Sequence, residues 1–372
     1  ASRRNGVYSV LDQKTGRIFT YNKNSELLYI FGGLGDFVGE FEYPVAIELM
    51  NDNILVLDSN NNNITVFRPT AYAQNIHSAI SNYNNGNYKH AKGKWENVIF
   101  KNTNFELAYN GVGRSYLRTE NFKKAMKYFH TGNDRSGYSE AFSSYRRLVL
   151  EKKFNIVILI LFLLLLLIYF NHRFKIMNKL KMDDNTDIAS IKKNTNTTNL
   201  VKIKIIRYSK ILVKSLTYSL YVILHPFDGF WELKHEKKGN IFSATILFLL
   251  FVFSYIFMRQ YTGFIFNELN LNEFNIILEI MSVTLPFILW CGVNWSLTTL
   301  MEGKGTIIDV CIATAYGLVP FILINVPVTI ISNYLTVQEE TFYLFFVIIA
   351  VAWSGSLIFL GTLVTHEYSL VK

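Results

Sequence analysis

The hydrophobic pattern divides the chain into a mixed N-terminal half and a C-terminal half of long apolar runs. Phe154–Phe170 is the first run of membrane length, with seventeen consecutive uncharged residues. At a rise of about 1.5 Å per residue it spans roughly 25 Å, close to a bilayer core of about 30 Å. Four more runs follow at Ile241–Met258, Ile276–Leu300, Ile307–Ile331 and Phe342–Val364. The pattern therefore predicts five membrane spans.

A shorter apolar segment, Ile211–Leu224, precedes the second predicted span. It is too short to cross a bilayer and contains Lys214. On a helix, one stripe would carry Leu212, Leu216, Leu220 and Leu224. We predict a helix that lies in the membrane interface. The alternative is a sixth span, which would reverse the orientation of everything after it.

The distribution of charge predicts how the spans are oriented in the membrane. The chain of 372 residues is 50% hydrophobic and only 17% charged, yet its formal net charge is +9. Fourteen of its Lys and Arg residues lie between Asn171 and Asn240, whereas the linkers 259–275 and 332–341 hold one and none. The positive-inside rule therefore predicts that residues 171–240 and the C-terminus are cytoplasmic and that residues 1–153 are extracellular. Because the chain opens ASRRNGVYSV, without an apolar signal region, we expect it to begin inside a longer protein.

Within the N-terminal half, short strand-like segments recur after 46 residues. Val10-Leu11-Asp12 returns as Val56-Leu57-Asp58, and Ile18–Tyr21 returns as Ile64–Phe67. Each copy alternates apolar and polar residues around a polar turn, as β-hairpins do. The segment between them, GGLGDFVGEFEYPVAIELMNDNILVLD, resembles part of an NHL-type β-propeller repeat. The resemblance covers residues 6–68 and implies an incomplete set of blades, which need neighbours to cover their edges. A small stand-alone β-meander is the alternative.

A second repeat follows, with a period of 34 residues. Tyr88, Ala91 and Trp95 return as Phe122, Ala125 and Phe129, and Ala79 matches Gly113. Small residues permit close helix crossing while aromatic residues fill the adjacent groove. The period and these positions resemble tetratricopeptide repeats over residues 72–131. A helix from about Ser139 to Lys153 is expected to cover the end of this stack.

The membrane half resembles a known family. Residues 225–239 read HPFDGFWELKHEKKG, the link at 300–306 reads LMEGKGT, and residues 313–327 read ATAYGLVPFILINVP. Together these segments resemble the bacterial branch of the Yip1 family over roughly Ser209–Lys372. The resemblance implies a bundle of several spans with a short glycine-containing cytoplasmic loop, and one further span after residue 372.

Polar residues inside the predicted spans are the candidate functional residues of the bundle. Amides and carboxylates are costly in a membrane and usually face a bundle interior or a cavity. The candidate intramembrane polar site consists of Asn294, Asp309, Tyr316 and Asn325. For Asp309 the favoured alternative is a carboxylate at the interface, where it would also suit the start of a helix. For Asn294 and Asn325 the favoured alternative is hydrogen bonding between helices.

The basic linker supplies a second set of candidates. Its cationic side chains are expected to attract anionic lipid headgroups by about 1 kcal/mol each. The candidate headgroup contacts are Lys202, Lys204, Arg207, Lys210 and Lys214. Nucleic-acid binding is a poor alternative, because the segment is tethered to the membrane and lacks interleaved aromatic residues.

Recognisable catalytic and cofactor motifs are absent from the sequence. It contains no Ser/His/Asp grouping, phosphate-binding loop, dinucleotide fingerprint or HExxH motif, and its two cysteines, Cys291 and Cys311, lie in apolar runs. Asp12 and Asp58 are expected to accept hydrogen bonds from turn amides rather than to bind a metal or a substrate. We therefore expect a protein that is not an enzyme and has no cofactor.

These patterns predict a multidomain membrane protein: partial β-propeller blades at 1–70, tetratricopeptide-like helices at 71–153, an anchor at 154–170, a basic linker at 171–240 and a polytopic α-helical bundle at 241–372. The leading hypothesis is a scaffold or accessory protein of the bacterial cell membrane with an extracellular binding region, although a fold does not name its ligand. Its expected partners are membrane lipids and proteins of a larger complex, with an ABC-type transporter as one candidate. The main alternative is a transporter with its own substrate pathway, and a sensor that signals through the linker is less favoured.

Overall fold

The computed structural model describes residues 6–153, 213–269 and 274–368, together with the single residue 166. The chain divides into two compact units, residues 1–155 and 156–372. The predicted anchor at 154–170, apart from that one residue, lies outside the described residues. So do four of the five candidate headgroup contacts, Lys202, Lys204, Arg207 and Lys210.

The N-terminal unit begins with two three-stranded antiparallel sheets. The first contains β1 (Tyr8–Asp12), β2 (Arg17–Tyr21) and β3 (Leu27–Gly32), and the second contains β4 (Pro44–Met50), β5 (Asn53–Asp58) and β6 (Asn63–Phe67). The predicted period of 46 residues is visible in the pairing. Leu11 lies opposite Ile18 in the first sheet, and Leu57 lies opposite Ile64 in the second.

The two sheets share one small core, in which Ile18, Phe41, Ile54 and Val56 are buried. Ile64, the repeat equivalent of the fully buried Ile18, is 61% exposed. The first sheet therefore buries a face in the core, whereas the equivalent face of the second sheet is exposed. Across residues 6–68 the structure contains two small sheets and no closed propeller.

Five helices complete this unit: α1 (Ala71–Asn84), α2 (Tyr88–Lys101), α3 (Glu106–Arg118), α4 (Phe122–Thr131) and α5 (135–153). The first four pack against one another in sequence. Helices α2 and α4 begin at Tyr88 and Phe122, which are 34 residues apart, as the sequence period predicts. Helix α5 begins a few residues before the expected Ser139, and its Ala141 shares a core with Phe129 of α4.

Small residues allow the close helix crossings of this stack. A Cβ atom on Gly113 would lie 2.9 Å from the ring of Phe129, and one on Gly111 would lie 2.3 Å from the indole of Trp95. Ala79, Ala91 and Ala125 are fully buried at the other predicted small positions. Larger side chains at these positions would force the helices apart.

The C-terminal unit is a helical bundle. Its helices are α6 (Val213–Leu224), α7 (Pro226–His235), α8 (Ile241–Tyr261), α9 (Ile276–Leu300), α10 (Ile307–Gly317), α11 (Val319–Ser332) and α12 (Glu340–His366), with a 3-10 turn at Val337–Glu339. Four helical segments are long and apolar enough to cross a membrane: Ile241–Tyr261, Ile276–Leu300, Ile307–Ser332 and Val337–His366. These agree with the last four predicted spans.

The third of these segments is broken between α10 and α11. Pro320 has no backbone N–H and cannot continue the helical hydrogen-bond ladder. The backbone N–H of Phe321 donates instead to Ser354 Oγ of α12, at 3.0 Å. Beside the break, a Cβ atom on Gly317 would lie 2.8 Å from the side chain of Ile358, so α10 and α12 approach closely. The break therefore coincides with a tight helix contact.

Helices α6 and α7 belong to the same core as the long helices, although the sequence analysis assigned both to the linker. Buried residues of both helices, among them Val222 and Phe230, lie in one cluster with Leu247, Tyr316 and Leu357. The predicted stripe of α6 faces this core only in part: Leu216 packs against it, whereas Leu220 and Leu224 are 50% and 71% exposed.

Candidate functional site

The four residues of the predicted intramembrane site occupy separate places in the bundle. Asn325 donates from Nδ2 to the carbonyl oxygen and to Oγ of Ser254, at 3.0 and 3.1 Å, and so joins α11 to α8. Asn294 donates from Nδ2 to Thr362 Oγ1 at 3.2 Å and joins α9 to α12. Both amides therefore bond between helices, as the alternative interpretation expected. Hydrogen bonds connect none of the four to another within the described residues.

Asp309 forms a cap at the start of α10. The hydroxyl and the backbone N–H of Thr306 donate to Asp309 Oδ2 at 2.6 and 3.0 Å, and the N–H of Asp309 donates back to Thr306 Oγ1 at 3.3 Å. This reciprocal arrangement satisfies backbone donors that a helix start otherwise leaves free. The carboxylate thus has a local structural use at the end of the span.

Tyr316 lies at the centre of a polar network that joins three elements. It is fully buried, and its hydroxyl donates to the carbonyl oxygen of Ser215 at 3.0 Å. Its oxygen also lies 2.7 Å from Ser215 Oγ and 3.3 Å from Ser243 Oγ. Ser215 Oγ additionally contacts Ser243 Oγ at 2.8 Å and donates to the carbonyl oxygen of Lys238 at 3.1 Å. Tyr316 therefore ties α6 and the start of α8 to α10.

Sequence reasoning found Tyr316 but missed its serine partners. Ser215 and Ser243 are single small polar residues in apolar segments, and nothing in their spacing marks them as partners of residue 316. Their proximity depends on how α6 folds back against the bundle. A buried serine in an apolar helix is a weak signal, because many serines there bond only to their own helix.

At one end of the bundle, helices α7, α9 and α12 end and helices α8 and α10 begin. We call this end of the bundle the linker end. There, the loop between α9 and α10 wraps around His366, which is 1% exposed. Cβ atoms on Gly303 and Gly305 would lie 2.8 Å from the His366 ring. The hydroxyl of Tyr368 donates to the carbonyl oxygen of Thr298 at 2.9 Å. The glycines thus permit a close fit that larger residues would prevent.

Glu367 connects three elements at the linker end by ion pairs. Its carboxylate lies 2.8 Å from Lys234 Nζ of α7 and 2.8 Å from Lys304 Nζ of the α9–α10 loop. Hydrogen bonds from Lys234 and then Lys304 lower the pKa of Glu367 to about 2. The same contact raises the pKa of Lys304. Glu367 is therefore an anion at neutral pH.

A cavity of about 720 Å³ lies between α8, α9, α10, α11 and α12. Large apolar side chains form most of its wall, among them Phe251, Phe287 and Trp290. Ser282, Thr314 and Thr362 contribute a few hydroxyl groups, and Thr362 already accepts the hydrogen bond from Asn294. The lining contains no charged side chain from the described residues. Such a surface suits hydrocarbon better than an ionic solute.

The N-terminal unit has a groove of its own, of about 460 Å³, along the inner helices α1, α3 and α5. The turn between β2 and β3 reaches into it, where Glu26 lies 3.0 Å from Arg114. One helical turn further along α3, Arg118 donates from Nε to the hydroxyl of Tyr83 at 3.3 Å. The groove therefore combines an apolar floor with charged side chains of both signs.

The two aspartates at the strand ends accept hydrogen bonds from nearby turns. Asp58 is buried and accepts from the backbone amides of Glu42 and Tyr43 at 2.7 and 3.1 Å. Burial raises the pKa of Asp58, but the hydrogen bonds outweigh burial and hold it below its ordinary value. Asp12 accepts from Lys14 and Thr15 in the same way. Within the described residues, no group of three or more His, Cys, Asp or Glu side chains is placed to hold a metal ion.

The family comparison concerns the C-terminal unit. Residues 220–372 match the Yip1 domain. With the four membrane-length helices, this Yip1 domain supports a Yip1-family membrane protein. The match begins inside α6 and includes α7, the glycine loop, Ser243 and Tyr316, whereas Ser215 precedes it. No curated protein matches the chain. The assignment of the N-terminal unit to NHL and tetratricopeptide repeats stays a prediction.

Proposed function

We propose that this protein is a non-enzymatic membrane scaffold or accessory protein. Its Yip1 domain would anchor and organise a larger membrane complex, and its N-terminal repeats would form an extracellular binding region. An ABC-type transporter is one candidate for the complex. The Yip1 domain family is not a known enzyme family, and among the described residues no group of three or more His, Cys, Asp or Glu side chains is placed to hold a catalytic metal ion.

The use of polar side chains within the bundle supports this proposal. Asn325, Asn294 and Tyr316 each bond to a neighbouring helix, and Asp309 caps its own helix. The cavity among the long helices is lined mainly by apolar side chains. A transporter for a polar solute needs polar groups that converge on a hydrated path. The arrangement favours a bundle built for packing over the transporter alternative.

The N-terminal groove supports a binding role for the repeats. Its apolar floor includes Trp95 and Phe129, and its rim carries Arg118 and Glu140. Such a mixture suits a protein segment, because apolar anchors supply affinity and charged groups supply orientation. Arg118 is exposed, and among the described residues its Nε–H donates to the Tyr83 hydroxyl, which leaves the terminal guanidinium N–H groups available to a ligand.

The proposal is tested by purifying the full chain from its native membranes in a mild detergent and measuring the mass and composition of the complex. We expect a stoichiometric membrane-protein partner. Arg118→Glu should reduce its recovery if the groove binds it, whereas Lys101→Glu, an exposed change on α2, should not. A monodisperse chain without any membrane partner would contradict the scaffold proposal. Uptake of a solute by liposomes that contain the chain alone would favour the transporter.

A further inference from the structure

Helices α6 and α7 form a hairpin whose two open ends lie at the linker end of the bundle. At the start of α6, Ser215 Oγ contacts Ser243 Oγ in the first turn of α8, at 2.8 Å. At the end of α7, Lys234 Nζ lies 2.8 Å from Glu367, the residue that follows α12. Both arms of the hairpin therefore start level with the ends of membrane-length helices.

The turn of the hairpin lies deeper in the bundle than its open ends. Along α7, Phe230 packs on Gly361, where a Cβ atom would lie 3.0 Å from the ring. Since Lys234 pairs with Glu367, α7 and α12 run in the same direction, and residues before Phe230 lie farther from the linker end. Gly361 lies five residues of α12 from His366 at the linker end, and Pro226 lies four residues of α7 beyond Phe230. At about 1.5 Å per residue, these nine residues place the turn of the hairpin about 13 Å from the linker end.

The other arm has the same length. Nine residues separate Ser215 from Leu224, a rise of about 13 Å on a helix. The arms touch near the turn, because a Cβ atom on Gly229 would lie 2.9 Å from Cα of Val222. The hydrocarbon of one leaflet is about 15 Å thick, half of the full core. The hairpin is thus long enough to enter one leaflet and too short to cross the bilayer.

The two faces of the hairpin differ in what covers them. The inner face, with Val222 and Phe230, is buried against α10 and α12. The outer face presents large apolar side chains that are at least half exposed: Leu220, Leu224, Phe227 and Trp231. Exposed apolar residues continue onto the start of α8 at Ile241 and Phe242. The outer face therefore exposes the same kind of apolar side chains as the long helices that would contact lipid.

We propose that α6 and α7 form a re-entrant hairpin whose outer face contacts the acyl chains of the leaflet at the linker end. Lipid, rather than water or another protein, is the occupant that this geometry selects. Large apolar side chains lie on both sides of the turn, next to the exposed His225 and Asp228, whereas the cationic Lys214, Lys237 and Lys238 lie at the open ends. Aromatic residues such as Trp231 commonly anchor segments at that boundary.

The proposal predicts a gradient of depth that a helix lying flat in the interface would lack. Spin labels are attached through Phe227→Cys, Trp231→Cys and His235→Cys in the full chain, in a Cys291→Ala and Cys311→Ala background, and the protein is reconstituted in liposomes of phosphatidylcholine and phosphatidylglycerol. Collision rates with oxygen, relative to a water-soluble nickel complex, report depth. The label at 227 should be deepest and that at 235 shallowest, with a difference of about 12 Å over eight residues of helix.

Two reference positions calibrate the measurement: Leu289→Cys on the exposed side of α9 for lipid, and Phe100→Cys in the N-terminal unit for water. Equal depths at all three hairpin positions would overturn the re-entrant geometry. Strong nickel collisions at 227 would show that water covers the hairpin, and weak collisions with both reagents would show that protein does. If the labelled variants do not fold, quenching by brominated lipid is compared between the native chain and Trp231→Phe. The variant should lose part of the quenching, and unchanged quenching would overturn the proposal.

Discussion

The hydroxyl of Tyr316 provides a direct test of how α6 is held to the bundle. Replacing Tyr316 by Phe removes one oxygen and preserves the ring, which is fully buried among α6, α8 and α12. The lost interactions are the hydrogen bond to the Ser215 carbonyl oxygen, at 3.0 Å, and the contacts with two serine hydroxyls. Tyr316→Phe should therefore loosen α6 without a cavity large enough to disturb the core.

The size of the effect follows from what remains after the change. Ser215 Oγ keeps its partners Ser243 Oγ and the Lys238 carbonyl oxygen, so no buried hydroxyl is left without a hydrogen bond. The cost is then that of a typical net hydrogen bond, about 1 kcal/mol, and measured values within membranes are of similar or smaller size. A change of about 1 kcal/mol corresponds to a roughly fivefold increase in the open population of the hairpin.

Hydrogen exchange of the full chain in lipid nanodiscs measures this population. Amides of residues 213–235 should exchange roughly fivefold faster in Tyr316→Phe than in the native chain, whereas those of α9 should not change. Tyr221→Phe is the matched control, since Tyr221 lies on the exposed side of α6 and its hydroxyl makes no hydrogen bond within the described residues. In a double-mutant cycle with Ser215→Ala, the two changes should couple by more than about 0.5 kcal/mol. Additive effects, or equal exchange in both Tyr variants, would refute the assigned network.

Three further predictions concern the bundle. Gly305→Ala should lower the thermal stability in detergent by an amount equivalent to about 1–3 kcal/mol, because the added carbon meets the buried histidine ring at 2.8 Å. Gly292→Ala, with nothing within 4 Å, is its control, and equal losses in the two variants would contradict the close packing. Glu367 has a pKa lowered to about 2, so its ion pairs stabilise the fold above its ordinary pKa of 4.5 and are lost as the pH falls from there toward 2. The stability advantage of the native chain over Glu367→Gln should accordingly shrink between pH 5 and pH 2, and a constant difference would argue against these pairs. Cys291 and Cys311 are the only cysteines, and their thiols are neighbours across α9 and α10, so copper phenanthroline should link them within one chain, as peptide mass spectrometry would show. Linkage only between chains would contradict the placement of α9.

The long apolar helices were predictable because length and hydrophobicity are properties of a contiguous segment. The predicted runs at 241–258 and 276–300 correspond to α8 and α9, with only the end of α8 extended to Tyr261. The break at Pro320 needed tertiary information, since a proline within an apolar run either bends a helix or ends it. The repeat periods of 46 and 34 residues were also visible, because each repeat places equivalent residues in equivalent pairs.

The hairpin of α6 and α7 was not predictable from periodicity alone. The leucine stripe that suggested an interfacial helix includes Leu220 and Leu224, which face outward, while the packing face is made by Ser215, Ser219 and Val222. Two serines on a helix face favour a solvent-facing assignment when the segment is considered alone. They become packing residues only because Ser215 meets Tyr316, which is 101 positions away in the sequence.

Polar bonds between helices occur at three levels of the bundle, and they restrict movement of the helices relative to one another. At the linker end, Tyr316 and Glu367 hold the α6–α7 hairpin. Near the middle, Asn325 holds α8. At the opposite end, the Arg259 guanidinium of α8 lies 2.9 Å from the Glu279 carboxylate of α9. Alternating access would have to break bonds at one end while keeping those at the other. In the described bundle, polar bonds tie helices together at each of these levels, which supports the proposed scaffold over the transporter alternative.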